Sequence, residues 1–132
     1  MAVIGHGIDL IEVERIEDML DRHGGRFMDR CFTVREQAYC EAGGPRRAER
    51  YAARFAAKEA VLKALGTGLA GGIAWTQIEV VRSDEGRPRL ELREEAAQVA
   101  ESAGVRSWLL SLTHIEKLSM ASVLALTDAP SC

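Results

Sequence analysis

A carboxylate and an ammonium group lie one helical turn apart near the middle of the sequence. Glu59 and Lys63 fall in a run of Ala, Leu, Lys, Glu and Arg that predicts a helix, and Gly66 predicts its end. Residues four apart lie on the same side of a helix. The spacing therefore allows two interpretations: an intrahelical ion pair, or a site where Glu59 holds a hard metal ion and Lys63 meets a phosphate.

Two neighbouring features of the sequence help to decide between the ion pair and the metal and phosphate site. The loop Gly66-Thr67-Gly68 follows the helix, and glycine lets backbone N–H groups approach an anion closely, which favours the phosphate interpretation. A cationic patch precedes Glu59, and either phosphate or carboxylate recognition or a solvated face would account for it. This patch consists of Arg46, Arg47, Arg50 and Arg54.

A second acid, Asp9, lies on a strand predicted over residues 2–11. The two-residue period of a strand puts Asp9 on the same face as Gly5 and Gly7, and puts His6 among aliphatic residues on the other. Glycine within a strand permits the close approach of a ligand or of another backbone. Asp9 therefore either lines a site or faces solvent near the strand end, and His6 is interpreted as a core or interface residue.

The elements that must position these residues predict an α+β fold. Strand, helices, hairpin, helix and hairpin follow one another, which indicates an antiparallel sheet packed on a long central helix in one domain, residues 1–132. A capping box at Thr33 and Glu36 starts one of the helices. The predicted ranges are a helix over 12–23, a short turn or helix over 26–30, a helix from 33 to about 42, the central helix from about 46, strands over 75–82 and 87–92 joined by a turn at 83–86, a helix over 93–103, and strands over 106–113 and 119–127.

Composition narrows the class of protein. Hydrophobic residues make up 47% of the 132 residues but aromatic residues only 5%, so the core must be aliphatic and alanine-rich, and we expect an oligomer interface to add buried area. The net charge of −3 argues against a general nucleic-acid binder. The three cysteines, Cys31, Cys40 and Cys132, lack metal-ligand spacing and fit a reducing compartment. With neither a membrane-spanning run nor a leader peptide, we expect a cytoplasmic protein without membrane partners.

Five blocks of sequence resemble one known family. The chain is similar to the holo-(acyl-carrier-protein) synthases, the small bacterial type of 4′-phosphopantetheinyl transferase, over nearly its whole length. The block over 54–68 is the most specific of the five, and the others follow in the right order and spacing. The blocks are Gly7-Ile8-Asp9 within 5–16, Phe32-Thr33-x-x-Glu36, residues 54–68, Gly86-Arg87-Pro88 and Ser111-Leu112-Thr113-His114.

The resemblance implies a reaction and a fold. Phosphopantetheine would pass from coenzyme A to a serine of apo-acyl carrier protein in fatty acid biosynthesis, releasing 3′,5′-ADP, on the 4′-phosphopantetheinyl transferase fold. Asp9 and Glu59 match the family's two Mg²⁺ ligands, and Lys63 matches the lysine that contacts the pyrophosphate. The resemblance leaves open whether Glu59, a metal-bound water or His114 deprotonates the serine.

The resemblance also implies binding residues and partners. The Gly66-Thr67-Gly68 turn would border the nucleotide, Arg54 and Lys58 are candidates for its 3′-phosphate or adenine side, and His114 is a further nucleotide-binding candidate. Coenzyme A would lie between subunits of a homotrimer. We hypothesise that three basic residues, which would share one stripe if the first helix continued, receive the acidic helix of the carrier protein. These residues are Arg15, Arg22 and Arg26.

Two alternatives compete with this interpretation. The acidic run Arg93-Glu94-Glu95 resembles part of the Nudix pyrophosphatase helix, but the second pair of acids is missing because Gln98 and Val99 follow. The other alternative is a non-catalytic coenzyme A-binding or oligomeric interaction domain. The joint presence of Asp9, Glu59 and Lys63 argues against it.

Overall fold

The computed structural model describes residues 1–82 and 86–128 of the chain. Five helices and five strands are found in this part, together with short 3₁₀ turns at Gly44–Arg46, Ala70–Gly72 and Trp75–Gln77. The helices are α1 Val13–His23, α2 Gly25–Cys31, α3 Val34–Glu41, α4 Arg47–Leu65 and α5 Glu94–Ser102. The strands are β1 Ala2–Glu12, β2 Ile78–Arg82, β3 Pro88–Leu92, β4 Ser107–His114 and β5 Leu118–Thr127.

An antiparallel sheet packs against the long helix α4, which confirms the predicted α+β class. The sheet has the strand order β1-β5-β4, and β2 and β3 pair separately as a two-stranded hairpin. In the register, Asp9 pairs with Ala121 on β5, and Ser119 on β5 pairs with Ile11 on one side and His114 on the other. Asp9 and His114 consequently lie on the two outer strands of the same sheet.

Strand β1 lies directly on the backbone of α4. A Cβ atom added at Gly7 would lie 1.7 Å from the carbonyl oxygen of Ala60, and one added at Gly5 would lie 2.7 Å from that of Ala64. Both distances are shorter than any tolerated contact, so only glycine fits at these positions. The glycines of the first strand thus serve the approach of another backbone, one of the two possibilities that the sequence allowed.

The other face of β1 carries no helix. Ile4, His6, Ile8 and Leu10 are all exposed there, with the alternation that the two-residue period predicts. His6 is thus not a core residue in the isolated chain. The exposed Leu109 on β4 continues this apolar face across the sheet.

Helix α4 is buried over more of its circumference than one apolar stripe. Tyr51 and Leu62 of the predicted stripe are buried and Phe55 is half-buried, while small residues such as Ala57 and Ala60 are also fully buried. The small side chains let the helix approach both the sheet and its neighbouring helices. The helix ends at Gly66 in the left-handed conformation, φ 75°, as predicted.

The capping box that starts α3 is also confirmed. The Glu36 N–H donates to Thr33 Oγ1 at 3.2 Å, and the Thr33 N–H donates to Glu36 Oε1 at 2.9 Å. These two bonds satisfy backbone donors that a helix N-terminus otherwise leaves open.

One predicted strand start differs clearly from the structure. Residues 75–77 form a 3₁₀ turn instead of the start of a strand, because the Gln77 side chain accepts from the Ala74 and Ala96 N–H groups and holds this segment against α5. Helix α1 ends at Gly24, as predicted, so Arg26 belongs to α2 and the three arginines do not share one helical stripe. Residues 83–85 of the predicted turn lie outside the described residues. Within residues 1–82 and 86–128, no helix has the length and apolar character to cross a bilayer.

Candidate active site

Asp9, Glu59 and Lys63 form a charged group where β1 crosses α4. The Lys63 Nζ atom lies 3.0 Å from Asp9 Oδ1 and donates a second bond to the Ile8 carbonyl oxygen, also at 3.0 Å. Asp9 is the more sheltered partner, with 16% of its side chain exposed against 54% for Lys63. The predicted Glu59–Lys63 ion pair within the helix is replaced by a pair between helix and strand.

Glu59 carries a perturbed carboxyl group. Partial burial raises its pKa above the usual value, and the negative charge of Asp9 raises it further, while Lys63 and Arg15 act in the opposite direction. Two acids from different elements therefore repel each other across this site. Such a pair favours whichever process relieves the repulsion, namely protonation or the binding of a cation.

The donor set at this site fits a magnesium ion. Mg²⁺ takes oxygen ligands, and proteins commonly hold it by one or two carboxylates together with substrate phosphates. Asp9 and Glu59 supply two carboxylates that lack a third acidic neighbour. In the described part of the chain, no group of three or more His, Cys, Asp or Glu side chains forms a closed metal site.

The loop Gly66-Thr67-Gly68 follows the same end of α4 as Lys63. The Gly66 N–H donates to the carbonyl oxygens of Leu62 and Lys63, at 2.9 and 3.2 Å, and so completes the helix cap. That N–H group is committed and not free to bind an anion. Only the N–H groups of Thr67 and Gly68 remain for the role that the sequence predicted for this turn.

The structure contradicts the prediction that Lys58 binds coenzyme A. Its side chain is 0% exposed, and its Nζ atom forms a 2.9 Å ion pair with the equally buried Glu36. It also donates to the carbonyl oxygens of Trp75, at 3.0 Å, and Ile78. Burial lowers the Lys58 pKa, with Glu36 opposing that shift. An ammonium group whose donors are all used inside the core cannot reach a phosphate at the surface.

A second candidate region is a cleft on the other flank of α4. We call it the arginine cleft; it has a volume of about 370 Å³. Four guanidinium groups line it, and none forms an ion pair with a carboxylate anywhere in residues 1–82 or 86–128. The charged and titratable side chains of the lining include Arg46, Arg50, Arg54, Arg82, Glu49 and His114.

Arg54 is the most buried of these arginines, with 4% of the residue exposed. Its Nε atom is buried and finds no hydrogen-bond partner within the described structure. Burial lowers the Arg54 pKa accordingly. An unpaired guanidinium in such a position costs stability, and a bound anion would compensate for that cost.

His114 lies in the arginine cleft and not beside the two acids. Its Nδ1 atom is 3.9 Å from Glu49 Oε2. Arg54 and Glu59 are five residues apart on one helix, which rotates their side chains by about 140° about its axis. Asp9 and His114 also lie on opposite outer strands. The predicted site residues therefore form two separate groups on opposite flanks of α4.

Comparisons with known proteins decide the family. The family described as the 4′-phosphopantetheinyl transferase superfamily matches residues 5–118. A holo-(acyl-carrier-protein) synthase of Koribacter versatilis is 46% identical over 92% of this chain and 97% of its own length. One from Chloroflexus aggregans is 47% identical over 93% and 95%.

The chain belongs to the 4′-phosphopantetheinyl transferase superfamily.

Solved structures agree with this assignment. The holo-(acyl-carrier-protein) synthase of Neisseria meningitidis superposes with a TM-score of 0.87, at 28% identity over 96% of this chain and 100% of that one. The enzyme of Bacillus anthracis, described in complex with coenzyme A (3′,5′-ADP), gives a TM-score of 0.78 at 35% identity over 96% and 98%. The predicted enzyme class, a phosphopantetheinyl transferase, and the predicted fold are confirmed.

Two residues of the arginine cleft were not predicted. Arg82 comes from the β2–β3 hairpin, far from the cationic patch in the sequence, and Tyr39 comes from α3, the helix that precedes the patch. Only the four-residue spacing of Arg46, Arg50 and Arg54 could be seen in advance. The acidic run of the Nudix alternative has a structural role, because Gln77 Nε2 donates to Glu95 Oε2 at 2.6 Å.

Proposed function

We propose that this transferase moves 4′-phosphopantetheine from coenzyme A to a serine of apo-acyl carrier protein, with Mg²⁺ at Asp9 and Glu59 and 3′,5′-ADP as the other product. One observation carries the proposal: Asp9 on β1 forms a 3.0 Å ion pair with Lys63 on α4 and is close enough to Glu59 to raise the pKa of that carboxyl group. We assign the reaction to fatty acid biosynthesis in the cytoplasm.

Asp9 and Glu59 are the residues that would hold the metal. Their mutual repulsion and their oxygen donors suit a hard divalent cation better than any other ligand. When bound, Mg²⁺ would neutralise negative charge on the diphosphate of coenzyme A. Lys63 is largely exposed and already lies at Asp9, so its ammonium group can turn from the carboxylate to a phosphate oxygen.

Glu59 is the better candidate for taking the proton of the carrier serine. It lies with Asp9 and Lys63 at the proposed metal site, where the diphosphate would be held, whereas His114 lies in the arginine cleft. The serine oxygen would form the new bond to the β-phosphorus, the bond from that phosphorus to the bridging oxygen would break, and 3′,5′-ADP would leave with that oxygen. The serine proton would pass to Glu59. His114 lies on the other flank of α4 and is a nucleotide-side residue in this proposal.

The arginine cleft suits the 3′-phosphate of coenzyme A. Its arginines have no carboxylate partners among the described residues, and Arg54 has a buried Nε without a partner. Guanidinium groups bind phosphate through several charge-assisted hydrogen bonds at once. Arg54 and His114 keep their predicted binding roles in this proposal. The Thr67 and Gly68 backbone is assigned to the nucleotide side at the Lys63 end of α4.

A homotrimer would bring the two groups together. Within one chain the acids and the arginine cleft lie on opposite flanks of α4, so one coenzyme A molecule would have to contact two chains. The open face of the sheet offers the contact area, since Ile8, Leu10 and Leu109 are exposed on it. In this arrangement the β1 side of one chain faces the β4 side of its neighbour.

The carrier protein would dock beside Glu59. Arg15, Arg22 and Arg26 are all exposed, and Arg15 is close enough to lower the pKa of Glu59. Exposed charge pairs mainly raise the association rate and weaken as salt increases. If Arg15→Glu leaves the rate of encounter and its salt dependence unchanged, this docking assignment is wrong.

Mass spectrometry of the carrier protein tests the reaction. Apo-acyl carrier protein is incubated with the transferase, coenzyme A and Mg²⁺, and we expect one phosphopantetheine on its serine. EDTA should stop the reaction and Mg²⁺ should restore it. A carrier in which that serine is alanine is the control. Hydrolysis of coenzyme A without modification of the carrier would contradict the proposal.

A further inference from the structure

Three guanidinium groups converge on one aromatic ring in the wall of the arginine cleft. The Cζ atoms of Arg54, Arg50 and Arg82 lie 4.1, 4.2 and 5.1 Å from the ring centroid of Tyr39. In the described part of the chain, the other rings with such contacts, Tyr51 and Phe32, each have one cation. The side chains that meet here come from α3, α4 and β2.

The polar atoms of Tyr39 fix two of these arginines. Arg50 Nη1 donates to the Tyr39 carbonyl oxygen at 2.7 Å, and Arg82 Nη1 donates to the Tyr39 hydroxyl oxygen at 2.5 Å. Arg82 is held from its other side as well, since its Nη2 donates to the Gly86 carbonyl oxygen at 2.8 Å. Arg54 is held by stacking alone, because no polar partner for it is found within the described residues.

Three guanidinium groups at one ring repel one another, and none of the three forms an ion pair with a carboxylate of residues 1–82 or 86–128, so a bound anion would stabilise them. The face of an aromatic ring attracts a cation but carries no net charge, so it offsets only part of the repulsion among the guanidinium groups. An anion with two charges and several acceptor oxygens would compensate for the rest, and a phosphate monoester has this chemistry.

We propose that Tyr39 is a positioning residue that holds Arg50, Arg54 and Arg82 in place for the 3′-phosphate of coenzyme A. It thereby sets the preference of the enzyme for coenzyme A over dephospho-coenzyme A, the same molecule without that phosphate. This inference rests on the proposed function. Tyr39 acts through the arginines, because long side chains that are already ordered lose less conformational entropy when the ligand binds.

Gly43 offers an independent way to disturb the same arrangement. A Cβ atom at this position would lie 2.8 Å from both Cδ and Nε of Arg50, so a methyl group would push Arg50 from the ring without touching Tyr39. The backbone of Gly43 has φ −74°, a conformation that alanine adopts freely. The Cβ atom would also lie 3.1 Å from the Cys40 carbonyl oxygen, a tight contact that a small shift relieves, so Gly43→Ala mainly tests the position of Arg50.

Calorimetric titration with coenzyme A and with dephospho-coenzyme A in the presence of Mg²⁺ tests the proposal. Tyr39→Leu removes the ring, and we expect the Kd of coenzyme A to rise about tenfold, while the Kd of dephospho-coenzyme A changes by less than about twofold. Tyr39→Phe keeps the ring and loses only the bond from Arg82, so we expect a rise of about two- to threefold for coenzyme A alone. Gly43→Ala should fall between these two.

Tyr51→Phe is the matched control. The Tyr51 hydroxyl donates to Glu41 at 2.7 Å, and its ring contacts Arg47, which does not line the cleft. We expect this variant to leave both Kd values unchanged. If Tyr39→Leu does not fold, Tyr39→Phe and Gly43→Ala still test the proposal. Each should raise the Kd of coenzyme A and leave that of dephospho-coenzyme A unchanged, and no change in the Kd of coenzyme A in either variant would contradict the proposal.

Two results would overturn the role of Tyr39. One is an equal change in both Kd values in the Tyr39 variants, as loosened packing alone would produce. The other is wild-type protein that binds coenzyme A and dephospho-coenzyme A equally well. Failure of the proposed transfer reaction is separate, because titration does not need the carrier protein. A selective loss in Tyr39→Leu together with no transfer would reject the reaction and keep the binding role.

Discussion

Lys58 and Glu59 are neighbours in the sequence, yet they belong to two charged regions with opposite properties. Lys58 belongs to a buried charge network in which each charge meets an opposite one: Lys58 with Glu36, and Glu79 with Arg35 and Arg93. Glu59 instead faces a second acid, Asp9, with Lys63 and Arg15 giving only partial compensation.

The two regions differ most clearly in what happens to their carboxyl groups. Burial alone would raise the pKa of Glu79, but hydrogen bonds from Arg35, Thr33 and Arg93 lower it to about 2. The pKa of Glu59 is raised, because burial and a like charge act together. Burial of a charge therefore does not identify a functional residue. The balance of its partners is more informative: a buried charge with opposite partners depends on them for the stability of the fold, whereas a charge with a like neighbour can bind a cation or a proton.

The largest expected effect is on catalysis at Glu59. Glu59→Gln should lower the transfer rate by about a thousandfold or more, because it removes both a metal ligand and the proposed base. In the absence of Mg²⁺, the melting temperature of this variant should equal or exceed that of the wild type. A raised pKa means that ionised Glu59 costs stability at neutral pH, and glutamine does not carry that cost. Transfer near the wild-type rate would show that the chemistry lies elsewhere.

The next effect is on stability at Lys58. Lys58→Met should lower the free energy of unfolding by about 3–5 kcal/mol in urea titrations, because Glu36 would remain buried without a cation. The double variant Lys58→Met/Glu36→Gln should recover part of this loss. A single variant as stable as the wild type would remove the distinction between the two regions.

Magnesium should stabilise the protein through one region only. At about 100 times its Kd, Mg²⁺ should raise the free energy of unfolding by about 2.7 kcal/mol. Differential scanning calorimetry should detect this shift in the wild type and not in Asp9→Asn. Arg35→Met, which perturbs the buried charge network, should keep it. An equal shift in Asp9→Asn would place the metal at other residues.

The smallest effects are those on the Glu59 pKa, which NMR titration of the metal-free protein would measure. Asp9→Asn removes a like charge and should lower this pKa, whereas Lys63→Met removes a cation and should raise it. Glu59 must be ionised to bind metal or accept a proton, so the transfer rate should fall at acidic pH, where protons compete with Mg²⁺ for the carboxylate. Glu79 should titrate at about 2 in all three proteins.

Local sequence patterns predicted most of the fold and singled out the residues of the first candidate group, Asp9, Glu59 and Lys63. The Thr33–Glu36 capping box, the Gly66 helix end and the alternation of β1 depend on nearby residues, and all three were predictable. Asp9 and Glu59 could be matched to metal ligands because their motifs resemble those of a known family. The proximity of Asp9 to Lys63 follows from the packing of β1 on α4.

Contacts between distant segments could not be predicted. Tyr39 and Arg82 meet only because α3 packs beside the hairpin, and no local pattern encodes that contact. For Lys58 a signal was present. It lies seven residues after Tyr51 and seven before Leu65, so two full helical turns put it within the predicted apolar stripe. A lysine in that apolar stripe faces the core, so a buried ion pair with an acid was the simpler expectation than contact with a phosphate.

The glycines at positions 5 and 7 bear on the proposed metal site. Because these glycines have no side chain, the backbone of β1 packs directly against the backbone of α4. This contact between the two main chains sets the distance between Asp9 on the strand and Glu59 on the helix. Mg²⁺ needs ligand distances of about 2.0–2.1 Å. A methyl group at Gly7 would force β1 away from α4, so we expect Gly7→Ala to separate the two acids and to lose Mg²⁺ binding together with the packing of the strand on the helix.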